Sequence, residues 1–202
     1  TTDQVNGLAT AQFAAMRTAN LANGLTTDQI VAMKSSQFAS LSTAQIGALS
    51  SNNIAAIETA DIVGISTAGI AALESSHFAA LLTDQIATLS TNQVVALTTA
   101  GVAGLTTDQV VALTTAQASA LSTQQVVAMG TNAIAALETA DFAALKTAAV
   151  AGLTTNQMRA LTTDQVVALT TAEANALSSA HVAALSTDAE AAMQTADLAA
   201  LK

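Results

Sequence analysis

The chain has 202 residues, a net charge of −9 and neither cysteine, proline, tyrosine nor tryptophan. With 51% hydrophobic residues, it carries too much apolar surface for a disordered tail, and the absence of cysteine excludes disulfides, zinc–thiolate sites and thiol catalysis. The few cations leave no basic stripe that would neutralise phosphates, which argues against a nucleic-acid partner: they are Arg17, Lys34, Lys146, Arg159 and Lys202.

Leu, Met or Ile recurs every eight residues along the chain. With the octad labelled a to h, the stretch from Thr106 to Leu113 is one unit with Leu113 at h. Position b is Thr or Ser in every unit, e is almost always apolar, and g is always Ala, Gly, Ser or Thr. This period predicts one solenoid over residues 1–202, of about 25 units. Because both termini fall inside the repeat, we expect a segment of a longer chain.

The period also selects the secondary structure. Eight residues at about 100° each would turn the e/h stripe by about 80° per octad, so one continuous helix would bury no constant face. A hydroxyl at b is a favourable N-cap, with e and h then on one face of a short helix. The sequence therefore predicts an all-α solenoid of very short Ser/Thr-capped helices, one per octad. A β-solenoid remains open because Val, Ile and Thr are common. The number of octads per coil is not determined by this pattern.

In chain order, the first irregular unit is 17–25, which holds nine residues and is most simply interpreted as an extra Asn23 in a surface bulge. The hydroxyls at b predict caps, represented by Ser35, Ser51, Thr107, Thr115 and Thr163. Positions e and h predict the core, represented by Ile62, Ile65, Val110, Leu113, Phe142 and Leu145. Positions a, c and d are expected to face water.

Chemically active residues are sparse. His77 and His181 both occupy d and are predicted to be solvated surface side chains without a catalytic partner. Glu190 stands at a core position, where it is expected to reach solvent or to mark a contact with a neighbour. The run Glu58-Thr59-Ala60-Asp61 recurs ten octads later and indicates duplication of a block. We predict no catalytic, cofactor-binding or metal-binding residues.

The units Thr106 to Leu113, Thr114 to Leu121 and Thr162 to Leu169 resemble the octapeptide arrays, of the form LTTDQ(V/I)xALTTAQ, of long secreted or surface proteins of bacteria. Some of these proteins are adhesin-like and others form filaments. The resemblance extends over the whole chain and implies an extracellular or cell-surface stalk, filament or matrix component. We therefore predict a non-enzymatic structural scaffold that self-associates and needs no cofactor.

Two alternatives remain. The first is an adhesin module that binds a ligand or a carbohydrate. The second is an ice-binding protein, which the ladder of Thr residues suggests. Ice binding is disfavoured if the hydroxyls at b cap helices and are thereby turned inward. No run approaches the roughly 18 apolar residues that a transmembrane helix needs, so we also predict no membrane span.

Overall fold

A computed structural model describes residues 1–201, apart from the side chain of Asn23. In these residues the only regular secondary structure is helical: 24 α-helices of four to seven residues and one 3-10 helix at Ile62–Gly64. The predicted all-α solenoid is confirmed, and the β-solenoid alternative is wrong. The α-helices, numbered in chain order, are α1 (Thr2–Gly7), α2 (Thr10–Ala14), α3 (Thr18–Gly24), α4 (Thr27–Val31), α5 (Ser35–Ala39), α6 (Thr43–Gly47), α7 (Ser51–Ala55), α8 (Thr67–Ala71), α9 (Ser75–Ala80), α10 (Thr83–Thr88), α11 (Thr91–Val95), α12 (Thr99–Ala103), α13 (Thr107–Val111), α14 (Thr115–Ala120), α15 (Thr123–Ala128), α16 (Thr131–Ala136), α17 (Thr139–Ala143), α18 (Thr147–Val150), α19 (Thr155–Ala160), α20 (Thr163–Val167), α21 (Thr171–Ala176), α22 (Ser179–Val182), α23 (Thr187–Ala192) and α24 (Thr195–Ala200).

Each helix is confined to one octad because the backbone is extended between one octad and the next. Leu121 at h has φ −55° and ψ 138°, and Thr106 at a has φ −75° and ψ 162°. These dihedral angles lie outside the helical region. The chain therefore changes direction at every h–a junction, and the next helix starts at b.

The chain divides into two compact units, Thr1–Gly104 with α1 to α12 and Leu105–Lys202 with α13 to α24. Within each unit, a helix packs against the helix three octads further along: α7 contacts α9 in the first unit, and α13 contacts α16 in the second. Three octads, or 24 residues, therefore complete one coil. Each unit consists of three columns of stacked short helices, and this number of octads per coil is what the sequence left undetermined.

The predicted core is confirmed at positions e and h. The six representative residues are all buried, namely Ile62, Ile65, Val110, Leu113, Phe142 and Leu145. Position g is small because it approaches the backbone of the coil beneath. A Cβ added at Gly104 would lie 2.9 Å from the carbonyl oxygen of Ser75, which stands at b three octads earlier. The coils therefore pack at a separation that leaves little room for a side chain at g.

The predicted caps are wrong by one position. Ser35, Ser51, Thr107, Thr115 and Thr163 are the first residues of their helices, and the N-cap is the preceding residue at a. The reason is the residue at d, three positions after a. In the unit of Ser35 only the Gln acceptor is present, and in the unit of Ser51 only the hydroxyl acceptor is present. In the units of Thr107, Thr115 and Thr163, the Oε1 atom of a Gln at d accepts the backbone N–H of a, while a hydroxyl at a accepts the backbone N–H of d. This reciprocal pair is a capping box, and it places the N-cap at a.

The nine-residue unit is accommodated by a longer helix. Helix α3 spans Thr18–Gly24 and, at seven residues, is the longest in the described part of the chain. Leu21 at e stays buried, and Gly24 is exposed. The bulge predicted there is therefore an added residue within a helix. The side chain of Asn23 itself lies outside the described residues.

The hydropathy of the described helices gives no transmembrane candidate, because none of them combines enough length with enough apolar character to cross a bilayer.

Candidate functional site

The side chain at position d contacts another coil. The prediction that d faces water is therefore wrong. Gln165 is 1% exposed, and its Oε1 accepts the backbone N–H of Thr162 at 3.0 Å. Its Nε2 donates to two carbonyl oxygens four octads earlier, at 2.8 Å to Ile134 and 2.9 Å to Leu137. One amide group thus caps its own helix and binds the end of an octad in the coil beneath.

The same contacts recur along the chain. In both units, the Nε2 of a Gln at d donates to the carbonyl oxygens of e and h four octads earlier. We call these side chains the glutamine ladder; its members include Gln37, Gln45, Gln85, Gln93, Gln157 and Gln165.

The glutamine ladder donates hydrogen bonds to main-chain carbonyl oxygens at the ends of the short helices. Residue h lies outside the helix in an extended conformation, so no turn of its own helix supplies a donor to its carbonyl oxygen. A buried carbonyl oxygen without a donor is destabilising, and the Gln amide provides that donor. The sequence carries a signal for the capping half of the Gln role only, because Ser or Thr at a followed by Gln at d is the spacing of a capping box.

Where d lacks an amide, a side chain at a supplies the donor in some units. In the unit with Ala149 at d, the Nζ of Lys146 donates at 3.2 Å to the carbonyl oxygens of both Ala120 and Leu121. In the unit with Asp197 at d, the Nε2 of Gln194 donates at 2.9 Å to the carbonyl oxygen of Val167. In these units too, an N–H donor from one coil therefore contacts the carbonyl oxygens of another.

In two units a histidine at d takes the place of the Gln Oε1 atom that accepts the backbone N–H of position a. His77 is 6% exposed, so the prediction of a solvated surface side chain is wrong for His77, whereas His181 is half-buried. The Nδ1 of His77 accepts the backbone N–H of Glu74 at 3.0 Å, and the Nδ1 of His181 accepts that of Ser178 at 3.3 Å. Both rings therefore cap helices, as the Gln Oε1 atoms do elsewhere.

An acidic residue at d has no counterpart of the Gln Nε2 atom, which donates to the carbonyl oxygens of another coil. Glu173 is buried, and its Oε2 accepts the backbone N–H and the hydroxyl of Thr170, both at 2.8 Å. Asp141 and Asp197 are also buried, and the Oδ2 of each has no hydrogen-bond partner among the described residues. These units interrupt the ladder.

The outer surface is formed by positions a, b, c and f. In the first unit the column of α3, α6, α8 and α11 presents an unbroken series of exposed threonines at b, which we call the threonine row: Thr18, Thr43, Thr67 and Thr91. None of these four hydroxyls makes a hydrogen bond within the described part of the chain. In this row, the expectation that b is turned inward is therefore wrong.

Glu190 is exposed at its e position, while the preceding Ala189 is fully buried. The carboxylate therefore reaches solvent, which was one of the two outcomes expected for it. The residues described by the structure enclose no pocket, and no three His, Cys, Asp or Glu side chains among them are grouped as a metal cluster would require.

Comparison with known proteins identifies the repeat. The model of the ALTTAQ repeat matches five overlapping or adjacent segments, at residues 23–56, 54–91, 86–115, 94–131 and 134–171. These matches together span more than half of the chain and cover residues of both compact units. A search of curated proteins found no match.

Proposed function

The chain belongs to the ALTTAQ repeat family, and on this premise we propose that it is a non-enzymatic structural scaffold. The scaffold is a rod that supplies length and stiffness and associates with further copies. The proposal also places the rod outside the cell, at a bacterial surface or in a matrix, in keeping with the resemblance of its TTDQV units to secreted repeat arrays.

One observation carries the proposal: the buried side chains of each octad serve contacts with its neighbours in the coil stack. Residues e and h form the core, and d binds main-chain oxygens four octads earlier, as Gln157 does at Val126 and Met129. Stability in such a stack is a sum of nearest-neighbour terms, so coils can be added without a new core. This arrangement suits a protein whose function depends on its length.

The test lengthens the chain by whole coils. Duplicating residues 106–177 adds nine octads, or three complete coils, and keeps every d residue opposite its carbonyl oxygens. Since packed helix layers lie about 8–10 Å apart, we expect the maximum dimension measured by small-angle X-ray scattering to increase by about 25–30 Å. A compact globule of the larger size would instead show an increase of only about 12% in radius of gyration. Globule-like scaling would reject the rod.

Ice binding is the second candidate, and the threonine row favours it. Those hydroxyls are exposed and are not needed to cap helices, and the residues following them at c are uncharged: Ala19, Ala44, Ala68 and Asn92. Thermal hysteresis of the purified chain separates the two functions. Absence of hysteresis eliminates ice binding, and hysteresis that is lost in Thr67→Lys supports it.

The carbohydrate-binding alternative has less support. Sugar-binding modules commonly present exposed aromatic rings, and this chain has only four aromatic side chains. All four are at most 1% exposed: Phe13, Phe38, Phe78 and Phe142. An adhesin function would therefore need polar recognition alone.

A further inference from the structure

We propose that a monovalent cation, sodium in the first instance, binds where Asp141 interrupts the glutamine ladder. Its ligands are the Asp141 carboxylate and the main-chain oxygens of Val110 and Leu113.

The ladder offset locates the site. A Gln at d donates to the e and h carbonyl oxygens four octads earlier, and the same offset from Asp141 leads to those of Val110 and Leu113. In the equivalent junction, the Nε2 of Gln165 lies 2.8 Å from one such oxygen and 2.9 Å from the other. Asp is one methylene shorter than Gln and has no N–H group. The junction at Asp141 therefore lacks both the donor and some of the volume that a Gln would fill.

Hydrogen bonds satisfy only one of the two carboxylate oxygens of Asp141. Asp141 is 2% exposed, and its Oδ1 accepts the hydroxyl of Thr115 at 2.7 Å. Its Oδ2 is buried without a partner among the described residues. The carbonyl oxygen of Val110 accepts the backbone N–H of Leu113 at 3.2 Å, whereas that of Leu113 accepts no hydrogen bond from the described residues. A buried carboxylate opposite carbonyl oxygens is strongly unfavourable unless a positive group lies between them.

An equivalent junction already holds a full positive charge. The ammonium group of Lys146 lies 3.2 Å from the carbonyl oxygens of Ala120 and Leu121, in the unit where d is Ala149. In the unit of Asp141 the residue at a is Glu138, so this position does not provide such a charge. A free cation would supply at this junction the charge that Lys146 supplies at the other.

The arrangement recurs in the first unit, where the hydroxyl of Ser35 donates to the Oδ1 of Asp61. Ser35 and Asp61 occupy the same octad positions as Thr115 and Asp141, ten octads earlier. Asp61 is only half-buried, so water can solvate its carboxylate. Of these two equivalent junctions, the one at Asp141 therefore has the greater need for a cation.

The chemistry of the donors selects the class of ion. All of the ligands are oxygens, which suit a hard cation. A single carboxylate balances one positive charge, whereas calcium takes six to eight oxygen ligands and commonly several carboxylates. Sodium therefore fits this ligand set better than calcium does.

Thermal unfolding of the full chain provides the test, with NaCl compared against N-methylglucamine chloride at equal ionic strength. A cation that binds only the folded state raises the Tm by mass action, so we expect the Tm to increase with each tenfold increase in sodium concentration. Asp141→Asn should abolish this dependence, because its own amide group provides the missing donor. Asp108→Asn, at an exposed c position, should keep it.

Sodium-23 NMR line broadening gives a second readout that does not depend on unfolding. Broadening by the unsubstituted chain that is lost in Asp141→Asn supports the site. Equal Tm values in the two salts, a sodium dependence that survives in Asp141→Asn, or a larger response to CaCl2 than to NaCl at equal ionic strength would each overturn the proposal.

Discussion

Gln157→Glu is expected to lower the free energy of unfolding by about 3–5 kcal/mol, the usual cost of an uncompensated buried charge. The Nε2 of Gln157 donates to the carbonyl oxygens of Val126, Val127 and Met129 at 3.0, 3.2 and 2.8 Å. Glu would retain the acceptor for the backbone N–H of Thr154 but would present a carboxylate oxygen to three carbonyl oxygens. Urea unfolding at pH 7, followed by circular dichroism, measures the loss.

Two further variants separate this effect from a simple change of charge. Gln124→Glu makes the same substitution at an exposed c position and should change the free energy of unfolding by less than about 0.5 kcal/mol. Glu173→Gln restores the donor at a buried d position and should stabilise the chain by about 1–3 kcal/mol. If Gln157→Glu and Gln124→Glu had equal effects, the ladder would not contribute to stability.

Gly64→Ala should destabilise the fold by about 1–3 kcal/mol, the usual cost of overpacking. A Cβ added at Gly64 would meet the carbonyl oxygen of Ser35 and would lie 2.9 Å from both its carbonyl carbon and its Cα atom. These are backbone atoms of the helix three octads earlier, so they cannot move aside as a flexible side chain would. The expected loss is measured by the same urea titration.

Gly7→Ala is the matched control because Gly7 also occupies g. No atom lies within 4 Å of a Cβ added there, and Gly7 is the last residue of α1. The added methyl group should stabilise the helix by up to about 0.5–1 kcal/mol, since Gly loses more conformational entropy than Ala does. Equal destabilisation by the two substitutions would show that g is not a coil-to-coil contact.

The sequence was sufficient to predict the short helices and the core, because burial at e and h follows directly from the eight-residue period. It was insufficient for the cap position, because Thr occupies both a and b in units such as Thr106-Thr107. A hydroxyl alone cannot decide between these two positions. The deciding residue is Gln109 at d, whose spacing from a completes the capping box.

The burial of d was missed for a related reason. Gln is usually exposed, and the open carbonyl oxygen that makes its burial favourable appears only when another coil packs alongside. The number of octads per coil is hidden in the same way, since each octad shows the same pattern whatever its neighbours in space. The run from Glu58 to Asp61 recurs after ten octads, but this recurrence does not indicate the number of octads per coil, because ten is not a multiple of three.

A three-octad coil, with g of one octad lying over b three octads earlier, is the central claim, and an engineered disulfide tests it most directly. A Cβ added at Gly152 would lie 2.6 Å from the Cγ2 of Thr123, so Thr123→Cys with Gly152→Cys brings two thiols together in a chain that has no other cysteine. We predict that this pair forms an intramolecular disulfide on mild oxidation, detected by mass spectrometry of the intact chain, whereas Thr131→Cys with Gly152→Cys, two octads apart, does not. Equal crosslinking of the two pairs, or crosslinking of the second pair alone, would contradict the three-octad coil.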